Sequence, residues 1–594
     1  MYFKLKEEAI SIIKNGLNKL NIDYDDEIVL DYPPNPDLGD LSSTISFSLA
    51  KILKKPPVEI AKQLIEVLSI TESFTKVESV GPYINFFIDY NIFSKKLLLK
   101  VDENYGKIDS KDKKIVLEHT SANPNGPLHI GHIRNSLFGD SLRRVLSLAG
   151  YDIETQYYVN DMGRQIAIIV FGITKLGLKL DNIFELDDEN NESESNIDNS
   201  DNNNENNKFI QKIDHKLGRL YYFANKSINE NPEYVKEVDN LIKQYEAGEN
   251  EELNKIFESV VSDCLKGVKE TLNRMDVYHD DFVWEGQFIR NGKVNEVVDD
   301  LIDSGYTKED EVLVLDLLDD YGIEKDLVLR RSDGTSLYST RDLAYHIYKG
   351  EIGDYVLDVL GSDHKLAAKQ ISIALEILNK TVPEVIFYEF INLPEGSMST
   401  RKGVFISVDD LIEEAILRAN NELKERRPEL TQEEQEKIAE IIGIGAIRFY
   451  ISKISPEKHI TFKWDEALNF EKGCASIQYA YARGFKLLSK ADKQDDIGSF
   501  EDFNDNWHPN ENEKNLIRVI SKFPLIVEES AKSRRIHHIA QYALDLATNF
   551  NKFYKNEQVL EDEFEDIRLL LVKKAILTIK KSLDLLGVSS PESM

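Results

Sequence analysis

The sequence predicts three parts: a small α/β unit, a parallel-sheet α/β domain carrying a long insertion, and a closing all-α bundle. Three observations carry that prediction. A chain of 594 residues is too long for one hydrophobic core, and roughly three or four domains are expected. Short β-rich apolar runs at 115–117 and 355–360 alternate with helical patterns through the middle, whereas from about 408 the pattern is helical throughout. A βαβ crossover needs only about a dozen residues, so the stretch from about 165 to 325 must hold an insertion.

Residues 1–108 open with an amphipathic helix whose interspersed charges exclude a signal peptide. In YPPNPDLGDLSS, 32–43, Pro33, Pro34 and Pro36 break regular structure and Gly39 marks a turn. Ser42 and Ser43 are placed to cap a helix over 43–53, which ends at Pro56 and Pro57, and a second helix is expected over 60–68. The alternating GPYINFFI at 81–88 reads as a strand, where one of Phe86 and Phe87 must face the core.

The apolar run 115–117 leads into EHTSANPNGPLHIGHIRNS, 118–136, and then into a helical pattern over 133–148. That is a strand, a loop broken by Pro124, Gly126 and Pro127, and a helix starting near Gly131, where the missing side chain lets a planar ligand lie against the backbone. The first amides of a helix lack intrahelical partners and carry the positive end of its dipole, so a phosphate above His129 and His132 would meet N–H donors and two imidazoles. Nucleotide chemistry is implied. His129, Ile130, Gly131 and His132 spell the HIGH signature at the strand-to-helix turn where the class I aminoacyl-tRNA synthetases carry it. With Glu118, Asn123, Pro127, Arg134 and Asn135 around it, the string resembles the arginyl-tRNA synthetases.

The resemblance implies a Rossmann-type class I catalytic domain over 109–407 with its connective insertion at about 165–325. It implies an N-terminal additional domain over 1–108 that meets the elbow of tRNA at its D-loop, and an α-helical anticodon-binding domain over 408–594. A guanidinium substrate demands carboxylates, because its planar donor fork pairs bidentately with acidic oxygens. By the family match Tyr338 and Asp342 contact that group, Gln370 lies by the α-amino end, and Glu118 and Asn123 complete the cradle. Glu285 in VWEG adds a second carboxylate, although Gly286 stands where the family usually has Ser. The segment EGSMSTRKG, 395–403, stands where class I enzymes place their mobile KMSKS loop. It lacks both consensus lysines and keeps its positive charge at Arg401 and Lys402. Gly131, Met398 and Ser399 join the two histidines as expected ATP contacts. Asn85 with Phe86 at one end, and Arg483 with Tyr554 at the other, are the expected tRNA contacts, since aromatic faces stack on bases and amides read their edges.

The implied reaction is arginine activation by ATP and transfer to tRNA(Arg), with magnesium implied by ATP chemistry and no tightly bound metal or organic cofactor. A cytoplasmic monomer is expected. A different nucleotidyl transferase with the same core would have no use for the two RNA-facing ends, and an inactive RNA-binding relative would have lost pocket residues. Composition bears on these expectations. A net charge of -32 argues against a polyanion partner, but part of it comes from an Asp/Glu/Asn/Ser tract at about 187–207, expected to be a disordered insertion. Local basic patches are sought at 51–55, 426–427 and 532–535. Runs of about 18 apolar residues, the signature of a spanning helix, do not occur. Cys264 and Cys474 lack metal-ligand spacing and read as buried thiols.

Overall fold

The computed structural model describes residues 2–33, 35–184, 209, 211–309, 311–331, 336–393, 406–491 and 506–594. The first unit is an antiparallel sheet of β1 (Leu30–Asp31), β2 (Leu41–Ser43), β3 (Phe74–Val80) and β4 (Tyr83–Ile88), in the order β1-β2-β4-β3. Helices Ile45–Leu53 and Pro57–Val67 pack against it, and Tyr2–Lys19 packs on the latter. The pleat of β4 sends Ile84, Phe86 and Ile88 into the core and the alternate residues to the other face. The expectation that Phe86 meets a nucleotide is therefore corrected: its ring is fully buried, 5.2 Å from that of Phe74. Phe87 lies on the other face, with Lys76 Nζ 4.0 Å above its ring. Asn85 is also buried, its Oδ1 accepting from Ser42 Oγ at 2.6 Å. Ser42 and Ser43 are strand residues, and the helix N-cap is Thr44.

The middle domain is built on β5 (Lys114–Glu118), β6 (Asp152–Val159), β7 (Asp281–Trp284), β11 (Tyr355–Gly361) and β12 (Glu384–Tyr388), joined in one all-parallel sheet of order β12-β11-β5-β6-β7. The chain winds outward in both directions from β5 and β11. Ligands of doubly wound sheets sit beyond the strand C-termini at such a switch point. Helices Arg164–Thr174, Ile213–Glu230, Tyr234–Ala247 and Glu251–Arg274 lie between β6 and β7, followed before β11 by a small antiparallel sheet of β8 (Thr307–Glu309), β9 (Leu313–Leu315) and β10 (Leu327–Arg330). Residues 336–338 contribute only a single bridge from Ser336 to Arg330. Tyr338 already opens the helix Tyr338–Ile352, because the Ser339 and Thr340 hydroxyls donate to the Val328 and Leu329 carbonyls and replace strand pairing.

From Val408 onward the described residues are helical apart from the two-residue strand β14 (Ile460–Thr461), which pairs with β13 (Ile391–Asn392). Thr431 and Glu434 form the capping box that starts Gln432–Ser452. The signature helix Ile130–Leu148 departs from the amphipathic expectation. It is buried almost all round, because the sheet covers one side and helices Gln432–Ser452, Phe523–Ser533 and Glu565–Leu585 cover the other. Its polar residues are accordingly committed. Asp140 accepts from Arg143, Arg144 and the fully buried Arg448, and Arg448 also donates to the Met275 and Leu586 carbonyls. One guanidinium thus ties the insertion, the bundle and the C-terminal segment to the signature helix. Both cysteines are buried free thiols. Among the described residues no helix is long and apolar enough to cross a membrane.

Candidate active site

The loop leaving β5 is held in an unusual conformation. Thr120 and Ser121 take φ values of 72° and 39°, a region costly for a β-branched residue. Hydrogen bonds hold the turn there: Thr120 N donates to Asn135 Oδ1 at 2.9 Å, and Asn135 Nδ2 donates to the Val359 carbonyl at 3.0 Å. The loop then reaches His129, the N-cap of the signature helix. His129 Nδ1 accepts from Gly131 N (3.1 Å), His132 Nδ1 accepts from His129 N (3.3 Å), and the two rings stack at 3.7 Å. A nitrogen that accepts a hydrogen bond carries no proton, so in each neutral ring the proton sits on Nε2. Burial keeps both neutral: it lowers the His129 pKa, and with His129 beside it the His132 pKa falls to about 3. The histidines thus present two neutral Nε2–H donors at a helix start.

Beside them, at the C-terminal edge of the sheet, carboxylates converge. Glu118 closes β5, its Oε1 accepting from Ser121 Oγ at 3.0 Å and its Oε2 from the fully buried Lys349 Nζ at 2.7 Å. Lys349 also donates to Asp358 Oδ1 at 2.6 Å. Asp342, on the same helix as Lys349, faces His346, whose Nδ1 is 3.2 Å from its Oδ1. Glu285 is fully buried, and among the described residues no hydrogen-bond donor reaches either of its oxygens; Arg341 Nη1 stands 3.6 Å away. Burial pushes the Glu285 carboxyl up to about 8 against the pull of Arg341. The buried Tyr158 phenol is driven up by burial and then by the negative charges of Glu285, Asp342 and Glu118. Gly286 follows Glu285 for a spatial reason: a Cβ there would come within 2.6 Å of Asp161 Oδ2 and Met162 Cε, and its N–H donates to Asp161 at 2.8 Å. Tyr338 is half exposed at the mouth of the helix and Asn123 is exposed on the loop. Gln370 is buried, and its Nε2 donates to the Lys325 carbonyl at 2.6 Å, engaged with the insertion.

A family model described as tRNA synthetases class I (R), catalytic domain, matches residues 95–464. The chain belongs to the arginyl-tRNA synthetases. An arginyl tRNA synthetase N terminal domain model matches 7–88, and a DALR anticodon binding domain model matches 477–594. The chain is 58% identical over its full length, and that of the relative, to an arginine–tRNA ligase of Methanobrevibacter smithii, and 53% identical, again over both full lengths, to one of Methanothermobacter thermautotrophicus. The Thermus thermophilus arginyl-tRNA synthetase structure superposes with a TM-score of 0.78 at 26% identity, covering 98% of this chain and 99% of that one.

Family membership directs attention to the remaining predicted sites. Met398, Ser399, Arg401 and Lys402 lie outside the described residues, as does the tract 187–207. The flanks of 394–405 are anchored to the signature. Val408 N donates to the Leu128 carbonyl at 2.7 Å and Ile130 N to the Ile406 carbonyl at 3.3 Å, while Arg134 holds the Glu389, Ser455 and Lys458 carbonyls. At the C-terminal end Arg483 and Tyr554 come together: the guanidinium lies 4.0 Å from the Tyr554 ring centre and 5.4 Å from that of Tyr479, and donates to Asn551 at 3.1 Å. Tyr479 is exposed and Tyr481 buried, as their two-residue spacing on a helix requires. Basic residues proposed as RNA patches are partly engaged by acids: Arg426 by Glu422, Arg427 by Glu429, Arg534 by Glu384 and Arg535 by Glu457. Among the described residues one three-residue group has metal-ligand geometry, Asp214, His215 and Asp409, but the Lys212 ammonium already sits 2.8 Å from Asp409 and 3.4 Å from Asp214.

Sequence reasoning did not find His346, Lys349, Asp358 and Arg341. A signal existed, since Asp342, His346 and Lys349 recur at helical spacing within an otherwise apolar buried face.

Proposed function

We propose that this site activates arginine and that the chain then esterifies tRNA(Arg), joining arginine to tRNA for translation as the arginyl-tRNA synthetases do. The carboxylate of arginine attacks the α-phosphorus of ATP, pyrophosphate leaves, and a hydroxyl of the terminal ribose then displaces AMP from the arginyl carbonyl. Glu285 and Asp342 receive the guanidinium, with Tyr338 at the mouth, while Glu118, Asn123 and Gln370 serve the α-amino end. His129 and His132 donate from Nε2 to the α-phosphate oxygens as charge grows there, with Gly131 allowing close approach; Arg401 and Lys402 follow the leaving pyrophosphate, with Met398 and Ser399 against the nucleotide. Magnesium enters with ATP, bound through the phosphate oxygens. Phe87, on the face of its strand away from Phe86, and Arg483 with Tyr554, meet the tRNA at the D-loop and the anticodon. The division at about 108 and 407, a monomeric state and a cytoplasmic location complete the proposal.

The observation that carries this reading is the fully buried Glu285, whose nearest cation, Arg341 Nη1, stands 3.6 Å away and whose carboxyl is held up at about 8, with Asp342 among the charges acting on it. Arginine-dependent exchange of pyrophosphate into ATP, with and without tRNA, tests it. Replacing His129 or His132 by Ala should lower exchange turnover about a hundredfold, the scale of one lost oxyanion donor, while transfer from preformed arginyl-adenylate stays near the parent rate. Exchange that responds equally to citrulline would end the arginine reading, and equal loss in both half-reactions would return the histidines to a structural role.

A further inference from the structure

Asp342, His346 and Lys349 follow one another at intervals of four and three along Tyr338–Ile352, and so share one helix face. That face meets two acids that stand opposite one another in the register of β5 and β11, Glu118 and Asp358. Neighbouring parallel strands run about 4.8 Å apart, so the two carboxylates would repel strongly without a cation between them. Lys349 supplies it, at 2.7 Å from Glu118 and 2.6 Å from Asp358. His346 links the rest. Its Nε2 is 2.8 Å from Asp358 Oδ2, and its Nδ1 is 2.7 Å from the Asp342 carbonyl and 3.2 Å from Asp342 Oδ1.

Carboxylate and carbonyl oxygens only accept, and Asp358 Oδ2 lies nearer to Nε2 than the Lys349 ammonium does, 2.8 against 3.4 Å, so the contacts favour a proton on each ring nitrogen and His346 as an imidazolium. Burial and the Lys349 ammonium press its pKa down, but Asp342 and Asp358 outweigh them and hold it at about 10. Lys349 is likewise kept charged, since Asp358 and Glu118 overcome the effect of burial. Within this cluster the formal count is three negative charges on Glu118, Asp342 and Asp358 against two positive ones on His346 and Lys349, one negative charge left over; burial pushes the Glu118 carboxyl up, and Glu285 with Arg341 at 3.6 Å stands outside this count.

We propose that His346 is a specificity-determining positioning residue: its Nδ1–H fixes one Asp342 oxygen so that the other is presented to the substrate, and its charge, with that of Lys349, trims the cluster to the single negative charge that a monocationic side chain completes. Asp358 holds the ring in place for this task. The inference rests on the reading of Asp342 as a guanidinium partner.

Two substitutions separate positioning from scaffolding in the full-length protein. In His346→Gln the side-chain amide reaches where Nε2 was, keeping Asp358 and losing the donor to Asp342. In His346→Asn the amide lies where Nδ1 was, keeping that donor and losing Asp358. In pyrophosphate exchange, Gln should raise the arginine KM about tenfold, the scale of one lost hydrogen bond to a charged group, with kcat and the ATP KM changed less than about twofold. Asn should stay within about threefold of the parent, and selectivity for arginine over the neutral isostere citrulline should fall about tenfold in the Gln variant only. Equal effects of Gln and Asn, a loss confined to kcat, or a lowered melting temperature with unchanged arginine KM would each overturn the proposal. Asp342→Asn is the control: if it raises the arginine KM and His346→Gln does not, only this inference fails, and if neither does, the pocket assignment fails with it.

Discussion

Asp140 and Glu285 are both fully buried acids of the middle domain, and their surroundings drive them in opposite directions. Asp140 sits where the signature helix meets the bundle. Burial alone would raise its pKa, yet the guanidiniums of Arg448, Arg144 and Arg143 outweigh it and hold the carboxyl at about 2. Glu285 receives no hydrogen bond among the described residues and lies 3.6 Å from Arg341, so burial wins and the carboxyl rises to about 8. Burying a charge is costly unless partners replace its water. Where every partner is supplied by the chain, the acid is a rivet; where one is withheld, the site is poised for a cation from outside. The same contrast separates Arg448, which spends its donors on Asp140 and the Met275 and Leu586 carbonyls, from Asp342, which is held at one oxygen by His346.

The largest test of this contrast is Arg448→Met. It leaves Asp140 buried without its central partner and should cost roughly 3 to 5 kcal/mol of folding stability, read by urea unfolding. A loss below about 1 kcal/mol would show that Arg143 and Arg144 suffice.

Glu285→Gln should do the reverse. Arginine KM should rise by one to two orders of magnitude, about 1.5 to 3 kcal/mol of lost pairing to a charged group, while folding stability at pH 8 increases on the order of 2 kcal/mol, because the buried charge is gone. Loss of both stability and binding would make Glu285 a rivet like Asp140.

The pH dependences should have opposite signs. The Glu285 pKa is raised on folding, so its acid form is favoured in the free enzyme, and arginine binding must expel the proton. Arginine affinity should therefore increase from about pH 6.5 to 8, at most about tenfold per unit. Calorimetry in buffers of different ionisation enthalpy should find proton release on binding, absent in Glu285→Gln. The Asp140 pKa is depressed, so its contribution to stability is present above about pH 4 and lost as pH falls through about 2, worth about 2 kcal/mol. Arg448→Met should flatten that acid limb.

The smallest expected effect belongs to residues 187–207, to which the proposed reaction assigns no role. Deleting them should leave charging of tRNA within about twofold of the parent, since a tract with so few apolar residues has little to offset the entropy of ordering. A large loss of charging with the melting temperature preserved would reveal a functional partner for the tract.

Much of this was legible in sequence because it depends on local chemistry. The strand 115–117, the proline-broken loop and the helix start at His129 follow from β-rich residues, breakers and capping groups a few positions apart. Phe86 was misjudged because alternation says that one of two neighbouring residues is inside but not which, and only the packing of Phe74 across the sheet decides. That the signature helix is buried almost all round was not legible, because the partners of Arg134, Asn135 and Asp140 at 389, 359 and 448 lie far away in sequence.

The sequence by itself therefore determined the family and the three-part organisation and named Glu118, Glu285, Asp342, His129 and His132 as candidates, since these rest on motifs within a few turns of chain, but not His346 or Asp358. Tertiary structure alone decided which of those acids are satisfied. Glu118 finds Lys349 across 231 residues and Asp140 finds Arg448 across 308, whereas Glu285 finds no hydrogen-bond donor among the described residues. Desolvation and charge pairing act through space, and a buried carboxylate becomes a structural joint or a binding site according to what the fold brings within about 3 Å of its oxygens.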